Sequence, residues 1–243
     1  MNDKDKLLKN ELIQKYLDNG IDSMSEAEIL ELIVAFSEKK NIADVTEKTL
    51  KCYGSINNIS RIDSKTLIES RLINVQSVVL IKLIAVMSCI YNMDKANIRR
   101  IDCTETAVAF LKNYFIGVAG EKTAVIALEE DFNIKDYCFV SSGNNKSVEI
   151  SCRNILKFVL NNSVDMIIIA HNHPSGNPEP SENDIVTTKN IIRTFKNIGI
   201  ILLDHIVLGQ NEYFSMRENF SDTMFENVPD NNYKYNKIQK DIP

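Results

Sequence analysis

Ala170-His171-Asn172-His173-Pro174-Ser175-Gly176-Asn177-Pro178-Glu179-Pro180-Ser181-Glu182-Asn183-Asp184 is the stretch around which this chain is organised. It follows Met166-Ile167-Ile168-Ile169, a short β-branched run bounded by polar residues. Such a run reads as a buried strand. The two histidines therefore stand just past a strand's C-terminal end. In extended backbone, positions i and i+2 project to the same side. His171 and His173 can then share one metal ion, with Asn172 pointing away. Imidazole nitrogen suits Zn²⁺, and a catalytic zinc takes three protein ligands and leaves one position to water. Asp184 is the nearby candidate for the third ligand.

Pro174, Gly176, Pro178 and Pro180 forbid a regular element and force a turn. Ser181-x-x-Asp184 before Ile185-Val186 then opens a helix as a capping box, with Ser181 as N-cap and Asp184 at N3. A capping role and a ligand role can coexist. The chain has 3 histidines, and two of them fall in this motif. That scarcity favours the ligand reading over capping alone.

The spacing His-x-His-x7-Ser-x2-Asp resembles the JAMM (MPN-type) metalloprotease signature, and the wording HNHPSGxPxPSxxD resembles the RadC family within it. The resemblance spans roughly residues 20 to 216. It implies a zinc-dependent peptidase or isopeptidase acting on a peptide or protein substrate. His171, His173 and Asp184 would ligate Zn²⁺. A glutamate ahead of the first core strand would be the general base, and the matching position is Glu121. Ser181 would donate a hydrogen bond to the oxyanion of the tetrahedral intermediate. Asp204-His205 also occurs in the RadC pattern, and His205 is expected to be structural or to support the site. Asn154 departs from the Arg-Glu pair of that pattern, since this chain has Arg153-Asn154.

The periodicity divides the chain. Helical spacing runs through residues 4–18, 25–36, 42–52, 64–70 and 75–92, with no evident strand, so residues 1–98 read as an all-helical domain. The resemblance makes it a degenerate helix-hairpin-helix. Its turn, Leu72-Ile73-Asn74-Val75-Gln76-Ser77, lacks the glycine that would let backbone approach a phosphate. A DNA or DNA-repair partner through this half is a weak expectation. Residues 103–217 alternate strands (123–128, 134–141, 165–170, 200–208, 213–216) with helices (104–114, 152–161, 182–197). A clear turn falls at Ser142-Gly143-Asn144-Asn145. The expected fold class is α/β: a mixed sheet flanked by helices, a JAMM/MPN, deaminase-like three-layer arrangement, preceded by the helical domain. The metal loop then lies outside a strand's carboxyl end. Residues 218–243 are expected to form a loosely ordered polar tail.

Composition bounds the rest. The 243 residues carry a formal net charge of -5, which argues against an extended nucleic-acid footprint. No apolar run reaches the ~18 residues of a membrane span, so no membrane partner is expected. Five cysteines without a CxxC pair suit a reducing cytoplasm. A nucleobase deaminase also uses zinc on such a sheet, but His-x-Glu and Pro-Cys-x-x-Cys are both missing. The competing readings are a DNA repair or recombination accessory protein and a pseudoenzyme that kept the fold. The oligomeric state is open.

Overall fold

The structure is a computed structural model that describes residues 3–37, 41–140, 152–226, 228 and 233–234. Backbone packing divides the chain into two compact units. The first comprises Met1–Tyr91 with Ile116–Ala119, and the second Asn92–Phe115 with Gly120–Pro243.

The first unit is helical. It holds α1 (Asp3–Asn19), a 3₁₀ turn (Ile21–Ser23), α2 (Glu26–Ser37), α3 (Ile42–Tyr53), α4 (Ile56–Arg61), α5 (Ser64–Ser70) and most of α6 (Val75–Ala96). Its core is Leu30, Val34, Ala35, Ile42, Ile59, Leu67, Ile73, Val78 and Ile81. The caps follow the sequence: Ser25 and Glu28 bond reciprocally at the start of α2, and Asp63 caps α5. Asn74 caps α6 by accepting from Ser77 N–H at 2.8 Å. The turn read as a degenerate hairpin therefore ends in an ordinary helix cap.

α6 is the element that bears on the expectation about apolar runs. Gln76, Ser77, Lys82 and Ser88 interrupt the run, yet the 22-residue helix is long and apolar enough to cross a membrane by length and composition alone. Its Val78 and Ile81 belong to the core of the helical unit. Lys82 Nζ donates to the carbonyls of Ser60 and Ile62 in the same unit.

The second unit is a five-stranded mixed sheet with helices on both faces, as expected for the fold class. After α7 (Thr104–Tyr114) come β1 (Thr123–Leu128), β2 (Ile134–Phe139), α8 (Cys152–Asn162), β3 (Met166–Asn172), α9 (Glu182–Lys196), β4 (Ile201–Leu208), β5 (Tyr213–Ser215) and α10 (Met216–Phe220). The strand order is β2-β1-β3-β4-β5. β3 and β4 pair parallel through the α9 crossover, and the other pairs are antiparallel. Helices α8 and α9 cover one face, contributing Ile155, Val159, Ile191 and Phe195. α7 covers the other with Ala107, Val108, Phe110 and Leu111. A strand between two helical layers has no wet face, which is why β3 is buried from Met166 through His171. Each buried isoleucine there contributes roughly 1.5–3 kcal/mol.

Two segments differ from the sequence expectation. α10 is a short helix where only a strand end was read. Beyond it, Met224 and Phe225 are buried in the core beneath α8 and α9. Tyr233 is buried in the core beneath α7, and Lys234 exchanges backbone bonds with Asp102 and Thr104. The part of the polar tail that the structure describes is docked, because these apolar side chains complete the two cores. The turn at Ser142-Gly143-Asn144-Asn145 lies outside the described residues.

Candidate metal centre

The sheet register brings the site together. Thr123, the first residue of β1, faces His171 across the β1–β3 pair. Glu121 thus sits just ahead of β1, beside the end of β3. His171 and His173 lie on one side of β3's end, and their Nε2 atoms approach to 3.0 Å. Asp184 comes back to them from the first turn of α9, with Oδ1 3.6 Å from His171 Nε2 and Oδ2 3.7 Å from His173 Nε2. Ligand atoms of Glu121, His171 and His173 all lie within 4.8 Å of one another. All the residues expected at the site are therefore neighbours in space.

The capping box at Ser181 is complete. Ser181 Oγ accepts from Asp184 N–H at 3.2 Å. Asp184 Oδ2 accepts from Ser181 N–H at 2.8 Å and from the Ser181 hydroxyl at 2.6 Å. Ser181 holds the carboxylate in place, and its hydroxyl hydrogen is committed to that carboxylate. An oxyanion role requires the hydroxyl to leave Asp184.

The proton positions follow from the hydrogen-bond partners. His173 Nδ1 lies 2.9 Å from the Asn177 carbonyl, which can only accept, so Nδ1 carries the hydrogen. The Thr188 hydroxyl donates to the Asp184 carbonyl at 2.6 Å. Its oxygen must then accept from His205 Nδ1, 2.6 Å away. Burial holds His205 well below the usual histidine range, so its ring is neutral and its Nε2 accepts. His171 Nδ1, at 2.8 Å from that nitrogen, must donate. Both facing Nε2 atoms are left with lone pairs. Two lone pairs at 3.0 Å repel unless a cation, a proton or a metal ion, lies between or beside them. Two nitrogens on one tetrahedral Zn²⁺ would stand about 3.3 Å apart, given Zn–N bonds of ~2.0–2.1 Å. The donor set therefore fits a divalent metal, with nitrogen and carboxylate oxygen as its atoms. Burial raises the Asp184 carboxyl, but a positive charge at His171, whether a proton or a metal cation in its place, and the bonds from Ser181 more than offset this and hold it well below the usual carboxylate range. The carboxylate is ionised throughout the neutral range, as a ligand must be.

Asn172, between the two histidines, points away from the rings as expected, and it has a definite partner. Its Oδ1 accepts from Lys122 N–H and its Nδ2 donates to the Gly120 carbonyl, both at 2.9 Å. The carboxamide thus clamps the backbone on either side of Glu121. Gly120 makes this possible with φ +68°. Nothing in the spacing of the motif announces this contact, because its partners lie 50 and 52 residues away.

The metal loop is fixed from below by the β4–β5 turn. Gln210 N–H donates to the Gly176 carbonyl at 3.0 Å, and His173 N–H to the Leu208 carbonyl at 2.8 Å. Asn154, the departure from the expected Arg-Glu pair, lies outside this set and donates to the Val140 carbonyl at 3.1 Å.

Comparison with known proteins gives the family. The profile of the RadC-like JAB domain matches residues 101–221, the segment that carries the sheet, the loop and every residue named above. A UPF0758 protein of Fusobacterium nucleatum is 31% identical over 228 residues, covering 90% of this chain and 98% of that protein. The chain belongs to the RadC family. Another similar protein is a UPF0758 protein of Streptococcus uberis, 28% identical over 88% of this chain and 95% of its own. A third, from Streptococcus agalactiae, is 27% identical over 84% and 92%. The RadC likeness thus covers the helical unit as well as the JAB domain.

Proposed function

We propose that this RadC-family chain is a zinc-dependent hydrolase of amide bonds, a peptidase or isopeptidase whose substrate is a peptide or protein. The observation that carries the reading is the pair of imidazole Nε2 atoms 3.0 Å apart, faced by one carboxylate and flanked by a second. His171, His173 and Asp184 would hold the metal. A bound Zn²⁺ supplies Lewis acidity and brings the pKa of a water down towards ~7. Glu121, held by the Asn172 clamp, would accept the proton of the attacking water and return it to the leaving amine. Ser181 keeps Asp184 in place, and its hydroxyl would turn to the developing oxyanion when substrate binds. One such donor contributes roughly 3 kcal/mol to the transition state.

Purified protein is expected to contain about one zinc per chain. The double substitution His171→Ala with His173→Ala should remove it. Metal-loaded protein should cleave members of a peptide or isopeptide library, and Glu121→Gln should slow that cleavage roughly 10²- to 10⁴-fold. Absence of stoichiometric zinc, or zinc without any cleavage, would refute the reading.

A further inference from the structure

We propose that His205, backed by Thr188, is a positioning residue that locks His171 in its Nδ1–H tautomer and thereby presents the Nε2 lone pair to a cation. The cation part of this inference rests on the metal reading above. The tautomer part stands on hydrogen bonds and on the complete burial of His205 away from water.

The chain of bonds has a single direction. It begins at the Asp184 carbonyl, which cannot donate. The Thr188 hydroxyl has one hydrogen, and that hydrogen is committed to the carbonyl at 2.6 Å. His205 Nδ1 at 2.6 Å must bring its own hydrogen to the Thr188 oxygen. A neutral His205 then has only a lone pair at Nε2, and His171 Nδ1 at 2.8 Å must donate to it. With the His205 ring neutral, reversing any one of these bonds leaves a contact of 2.6–2.8 Å with no hydrogen in it. His171 is 1% exposed, and Thr188 and His205 are fully buried. Bulk water therefore cannot substitute for a missing partner.

The fold explains how the three side chains meet. His205 in β4 is paired with Ile169 of β3, two residues before His171. Thr188 stands one turn beyond Asp184 on α9, which packs over the same face. The relay thus starts on the backbone of one proposed ligand residue and ends on the ring of another. It ties the α9 N-terminus to the end of β3. A buried histidine in an apolar strand could be mere packing, but packing alone would not fix the proton of its neighbour. Groups that orient a ligating histidine through its other nitrogen typically change metal affinity 10- to 100-fold when removed.

The test is two-bond ¹H–¹⁵N correlation of the imidazoles in the metal-free full-length protein. Wild-type His171 should be the pure Nδ1–H tautomer. His205→Phe removes the acceptor, and His171 should move to the Nε2–H form or a mixture. Zinc affinity, measured by competition with a chromophoric chelator, should fall roughly 10- to 100-fold. His205→Gln offers an amide oxygen to His171 and should restore most of both readouts. Thr188→Val, which keeps the volume and removes the hydroxyl, should loosen the tautomer without unfolding the chain. An Nε2–H or mixed His171 in wild type would overturn the proposal. So would a folded His205→Phe protein with an unchanged His171 tautomer. If wild type takes up no zinc, the metal reading fails, and the tautomers of the wild type and variants still decide the positioning role.

Discussion

At the scale of single residues, the site is a problem of who owns each hydrogen. Glu121 is close enough to the two imidazoles to be either a ligand or a base. The two roles separate cleanly: as the base, Glu121→Gln should keep full zinc content and lose turnover, whereas loss of zinc would make Glu121 a ligand. Ser181→Ala should cost about 1 kcal/mol of stability through the lost cap. It should also weaken zinc binding, because the Asp184 carboxylate loses its 2.6 Å partner; equilibrium denaturation and metal competition read the two effects. The histidines and Asp184 were legible in the sequence because extended backbone and a proline-rich turn constrain them locally. The commitment of the Ser181 hydroxyl was half legible, as a capping box. The His205 and Thr188 links were not, since they join residues 34 and 17 apart that only the β3–α9–β4 crossover brings together.

At the scale of elements, hydrophobic periodicity found all five strands and most helices, because each buries one or both faces in a layered core. It missed α4 and α10, six and five residues long. Elements that short carry too few turns to show a period, and tertiary contacts set them. The metal loop depends on a neighbour from outside the motif. A Cβ on Gly209, in the β4–β5 turn, would stand 2.4 Å from the Gly176 carbonyl oxygen and 3.0 Å from Pro178 Cδ. Gly209→Ala must therefore push the loop aside and strain the His173–Asn177 contact. The expected result is a loss of roughly 1–3 kcal/mol in stability together with weaker zinc binding, read by thermal melts with and without metal.

At the scale of the whole molecule, the two-faced core has a buried charge beside it. Asp204 is fully buried, and burial raises its carboxyl from the ordinary 3.8 to about 6 despite bonds from Ser215 and the Arg217 N–H. The folded state binds a proton between these values that the unfolded chain does not. Stability from the neutral carboxyl is therefore fully present below pH 3.8 and is lost as pH rises through about 6. The penalty at neutral pH is on the order of 3 kcal/mol at most. Asp204→Asn should match wild type near pH 4 and melt higher than wild type at pH 7. The docked residues Met224, Phe225 and Tyr233 were illegible because they are isolated apolar residues in a polar segment, with no period to announce them. The Asn172 clamp has a consequence for anyone who would transplant this centre. Grafting the histidine loop onto a foreign strand would carry the imidazoles and leave the glutamate behind, because the amide between them is a hinge pin whose other half is moulded by the opening of β1. The smallest portable version of this centre is the antiparallel β1–β3 pair together with α9 and β4, and a copy of the loop alone is expected to carry the imidazoles without Glu121.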